Sequence, residues 1–146
     1  MYSGGRFAAA ASSDDQVVMA VRAAAARTKG DVVWLAAPSA AGNVLADEAV
    51  SSSASVRRAA VWVQDCASGA IGLVCVKGPV QATVTSGSFV LGHGVETDGG
   101  KVEDSGSAAS VSCAEANTDF AVALEAGTTV TTLKIYLLGE SYTSTT

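Results

Sequence analysis

The sequence predicts a mainly β protein: one compact sandwich or small barrel of about eight to ten short strands, preceded by an extended N-terminal arm. Three observations lead there. Hydrophobic residues make up 49% of the 146-residue chain, yet most are Ala and Val, whose small or β-branched side chains suit packed sheets better than a bulky helical bundle. Gly appears 15 times and Pro twice, and Gly, Ser and Asp clusters recur between the apolar runs as turn signals. Several of those runs alternate apolar and polar residues with the period of two that marks a strand.

Residues 1–15 (MYSGGRFAAAASSDD) form the arm, with Tyr2, Arg6 and Phe7 as its only large side chains apart from Met1. Its composition cannot bury a core of its own. The domain follows over residues 16–139, and residues 140–146 (ESYTSTT) form a polar tail carrying Tyr142. Residues 16–27 can be read two ways. Ser13-x-x-Gln16 has the form of a capping box and the alanines favour a helix. Yet Val17, Met19, Val21 and Ala23 alternate with Gln16, Ala20 and Arg22. A strand followed by a short turn is preferred, with the helix as the alternative.

Thr28-Lys29-Gly30-Asp31 is a turn and Val32-Val33-Trp34-Leu35 a short buried strand. Residues 38–50 (PSAAGNVLADEAV) and 51–55 (SSSAS) read as loop and turn. From residue 56 the pattern sharpens. Ala60, Trp62 and Gln64 alternate with Ala59, Val61 and Val63, and residues 65–69 turn the chain. Residues 70–76 (AIGLVCV) are apolar on both faces, which predicts a central strand between two layers. Lys77-Gly78-Pro79 punctuates it. Val80, Ala82 and Val84 then form one face of the next strand, Ser86-Gly87 turns into residues 88–91 (SFVL), and the turns Gly92-His93-Gly94 and Asp98-Gly99-Gly100 bracket a short piece. Residues 103–110 (EDSGSAAS) read as a polar connection, residues 120–124 (FAVAL) as a strand and 125–127 as a turn. Residues 128–138 (TTVTTLKIYLL) close the domain with Thr131, Leu133, Ile135 and Leu137 on one face.

The chemistry sought in this pattern is scarce. Net charge is −5, and no basic run exceeds the pair Arg57-Arg58, so a phosphate-tracking stripe and direct nucleic-acid binding are not expected. No apolar run approaches the roughly 20 residues that span a bilayer, and a charged n-region followed by an apolar core is missing, so no membrane partner is expected and the chain should be made in the cytoplasm. Cys66, Cys75 and Cys113 are an odd number without C-x-x-C spacing, which points to thiols rather than a disulfide or zinc set. No cofactor or metal is expected. His93 is the single histidine and stands between glycines, where exposure is commoner than burial. No G-x-S-x-G elbow or phosphate loop accompanies it. The carboxylates Asp14-Asp15, Asp47-Glu48 and Glu103-Asp104 are adjacent pairs, which point to opposite strand faces and read as solvated turns. An enzyme is not expected.

The run of residues 61–84 (VWVQDCASGAIGLVCVKGPVQATV), followed by Gly92-x-Gly94 and the Asp98-Gly99-Gly100-Lys101-Val102 hairpin, resembles small head proteins of tailed bacteriophages known as decoration, cement or head-stabilising proteins. Lys29-Gly30-Asp31-Val32-Val33-Trp34-Leu35 matches an early strand of that family, Gly78-Pro79 its G-P turn, Ala121-Val122-Ala123-Leu124-Glu125 a late strand, and Leu137-Leu138-Gly139 its end. The likeness covers residues 28–139, with His93 where the family pattern has Asp. It implies a compact β domain on the outer capsid surface of the virion, a homotrimer bridging subunits of the major capsid protein. Under this resemblance Tyr2, Arg6, Phe7 and Tyr142, on the arm and tail, are the candidate contact residues for capsid or protomer, with residues 38–50 and 103–110 as candidate contact loops. A carbohydrate- or host-binding β module, or another phage tail or head-completion protein, is the alternative.

Overall fold

The computed structural model describes residues 16–35, 44–50, 58–85, 88–108, 120–128 and 130–138. Its described elements are strands, with no helix among them: β1 (Val17–Arg22), β2 (Val32–Leu35), β3 (Asp47–Ala49), β4 (Arg58–Trp62), β5 (Ile71–Thr83), β6 (His93–Asp98), β7 (Lys101–Ala108), β8 (Ala121–Ala123) and β9 (Thr132–Leu137). They pair antiparallel in the order β3-β2-β4-β5-β9-β8-β6-β7, with β1 added to β5, and the sheet curls into a half-barrel. The expected small all-β domain is what forms, and residues 17–22 take the strand rather than the helix.

β5 organises the molecule. Its first part pairs with β1 and, at Val74 and Cys75, with β4, while its second part pairs with β9 from Gly78 to Thr83. The sequence reading broke the chain at Lys77-Gly78-Pro79; the strand instead runs through all three residues. Two features allow it. Val17 pairs with Lys77 but Val18 with Cys75, so β5 carries one extra residue there, a bulge that Gly78 follows with φ +99°. And Val84 N–H donates to Thr131 on the β9 side while Thr83 N–H donates to Gly30 on the other. The same alternation turns the nitrogen of Pro79 away from β9, so its missing donor leaves that ladder intact.

The bulge also changes which residues face which core. The larger core takes Cys75 before it and Val80, Ala82 and Val84 after it, and closes with Phe89, Val95, Val102, Phe120, Leu133, Ile135 and Leu137. Odd positions face this core before the bulge and even positions after it. A smaller core gathers Val21, Ala23, Val33, Ala60, Trp62, Val74 and Val76. β2 and β4 divide their residues between the two, with Val32, Ala59 and Val61 on one side and Val33, Ala60 and Trp62 on the other. They form a shared wall buried on both faces, which explains a run of four buried residues from Ala59 to Trp62. Of the face predicted from Thr131, Leu133, Ile135 and Leu137, the last three are fully buried and Thr131, just before β9, is exposed.

Several local expectations are corrected. Residues 47–49 are strand β3 rather than loop, because they pair with β2 from Val33 to Leu35. Residues 103–108 belong to β7, which pairs with β6 across the two-residue turn Gly99-Gly100. Both glycines have positive φ, 57° and 89°, the requirement of a tight hairpin turn whose twist matches its strands. The turn near His93 falls at Leu91 and Gly92, and His93 itself opens β6. Within residues 88–91 pairing is limited to a bridge from Phe89 to Gly127. Residues 70–76 are not buried on both faces, since Ile71 and Leu73 are exposed. Residues 1–15, 51–55, 86–87 and 140–146 lie outside the described residues.

Cys75 is fully buried on β5, and burial pushes its thiol up from the ordinary 9.0. The folded chain therefore holds this proton to higher pH than the unfolded chain does. The resulting stabilisation is complete below pH 9 and is lost as pH rises through the folded value. Urea midpoints should fall above pH 9 in the native sequence and fall less in Cys75→Ala. Equal slopes in the two proteins would remove Cys75 as the cause.

Candidate interaction surface

Polar groups are gathered at two places. The first is around Asp47, expected to be a solvated turn residue and found to be 2% exposed. β3 carries it into the gap between β4 and the segment after β1. There its Oδ1 accepts from Ala24 N at 2.7 Å, its Oδ2 from Arg27 Nε at 2.7 Å and from Trp62 Nε1 at 2.9 Å, and Arg27 Nη2 adds a longer bond of 3.3 Å. Arg27 is held in turn by reciprocal backbone bonds with Cys66. A buried carboxylate needs this many donors to offset its lost hydration. The cluster is filled by its own members and fastens β3, β4 and the chain after β1 together.

The second is His93 and Asp104. Neighbouring strands β6 and β7 bring His93 Nδ1 to 2.9 and 3.2 Å from the Asp104 oxygens, and Val90 N–H donates to Asp104 Oδ2 at 3.1 Å. A His–Asp pair becomes a hydrolytic dyad only beside a nucleophile. The described thiols are engaged elsewhere: Cys75 bonds to the Lys77 carbonyl and Cys66 to those of Ala67 and Ala70. Among the described residues no three His, Cys, Asp or Glu converge as a metal would require. The pair instead anchors the turn of residues 90–92 onto the β6–β7 hairpin.

The surface that stands out is apolar. Val17 and Val18 on β1 are 48% and 42% exposed, and Ile71 and Leu73 on β5 are 51% and 40% exposed. Cross-strand register sets Val18 against Cys75, Ala20 against Leu73 and Arg22 against Ile71. Val17, adjacent to Val18, points to the opposite face, whereas Val18, Ala20, Leu73 and Ile71 make one patch across the two strands. It continues the sheet face that Cys75 turns to the larger core, left uncovered at its outer end. Its cationic flanks, Arg22 and Lys77, are exposed. A second group, Val90, Leu91 and Leu124, is also exposed and is brought together where residues 89–92 run antiparallel to 123–127.

Sequence reasoning placed contacts elsewhere. Tyr2, Arg6, Phe7 and Tyr142 lie outside the described residues, as do residues 38–43 and 109–110 of the two candidate loops. It missed the β1–β5 patch because an apolar residue in a strand pattern reads as core. The signal available was the break in size at Gly72, between Ile71 and Leu73: its position lies under the Trp62 ring, so the two faces of this strand are not equivalent. The carbohydrate-binding alternative needs accessible aromatic faces. Trp62 is fully buried, with its N–H committed to Asp47, and Trp34 packs against the larger core.

No family model matches the sequence, and no curated protein does. Among solved structures the fold is similar to that described as the crystal structure of the head fiber gp8.5 N base in bacteriophage phi29. The TM-score is 0.57 over 86% of this chain and 97% of that one, at 13% identity. At that identity the likeness is one of fold: this chain shares its architecture over nearly the whole of both molecules with a domain at the base of a phage head fibre.

Proposed function

We propose that this chain is a non-enzymatic component of a tailed-phage head, held on the outer capsid surface by the major capsid protein and stabilising contacts between capsid subunits. The observation that carries the reading is the end-to-end fold likeness to a head-fibre base. The sequence resemblance over residues 28–139 points independently to the same class of protein. The chemistry agrees. The Asp47 and His93–Asp104 clusters are engaged in holding strands together, and the exposed surface includes the apolar residues Val18, Ile71 and Leu73, which a protein acting through contact area can use. Cementing of this kind rests on many copies, each adding a modest contact that the lattice multiplies. The arm and tail residues Tyr2, Arg6, Phe7 and Tyr142 are the proposed contacts.

Co-sedimentation with empty expanded heads tests this. Binding should saturate at a copy number set by the symmetry of the shell and should raise the temperature at which the heads come apart. Tyr2→Ala with Phe7→Ala should weaken binding without changing the melting of the free protein. A protein that stays in the supernatant with every head preparation would remove the reading; unchanged binding of the double variant would remove only the arm from it.

A further inference from the structure

We draw no further inference here: the strongest candidate, the exposed apolar patch of Val18 and Ala20 on β1 with Leu73 and Ile71 on β5, carries nothing because nothing in the structure shows what covers it.

Discussion

Replacing Asp47 by alanine is expected to destabilise the fold by about 3–5 kcal/mol, the usual cost of removing one partner of a buried ion pair. Arg27, whose side chain is 14% exposed beside the fully enclosed carboxylate, would lose its counter-charge. Trp62 Nε1 and Ala24 N would lose their acceptors. Against a total stability of about 5–15 kcal/mol for an ordinary domain, that is a large fraction. Asp47→Asn should fall between, because its amide keeps one acceptor oxygen but turns a donor toward groups that are themselves donors. Urea denaturation followed by tryptophan fluorescence measures both. A loss below about 1 kcal/mol for the alanine variant would mean that water takes over the carboxylate's role and that the cluster does not hold the strands together.

Gly72→Ala is expected to cost about 1–3 kcal/mol through overpacking. A Cβ at this position would lie 2.7 Å from Trp62 Cζ3, 3.0 Å from Cys66 Sγ and 3.1 Å from Gln64 Nε2. The indole has no room to retreat: it is fully buried, and Asp47 holds its nitrogen. Relief therefore requires the ring to give up its bond to Asp47, which couples this substitution to the first. A double-mutant cycle with Trp62→Phe reads the coupling. The cost of Gly72→Ala should shrink when the indole nitrogen and its larger ring are gone, and equal costs in both backgrounds would show that the strain falls on Cys66 or Gln64 instead.

The sequence made the architecture legible where one face of a strand is buried. Leu133, Ile135 and Leu137, and Val80, Ala82 and Val84, each share one face by alternation, and those faces are the buried ones, although Thr131, grouped with the first, is exposed; the Gly99-Gly100 turn announced its hairpin. It was less legible where tertiary pairing overrides local chemistry. Lys77-Gly78-Pro79 has the composition of a turn, and β9 on one side of the chain with a bulge on the other makes it a strand. Asp47-Glu48 and residues 103–108 have the composition of loops, and they pair because β2 and β6 present matching edges. The buried role of Asp47 depends on Arg27 and Trp62, residues distant in sequence whose convergence leaves no local mark. The exposed patch was hidden for a related reason: burial of Ile71 and Leu73 depends on what the sheet leaves uncovered, which alternation along one strand does not encode.

The continuity of β5 has a consequence for how the chain folds. One half of that strand is the backbone partner of β1 and β4 and the other half of β9, so neither core can close while the other's portion of β5 is still searching. The two cores are therefore not separate folding units. The strands that complete them come from opposite ends of the chain, and wide loops must close before their contacts are rewarded, which slows the search. Once formed, the same strand makes unfolding concerted: loosening at either core releases the ladder on which the other depends.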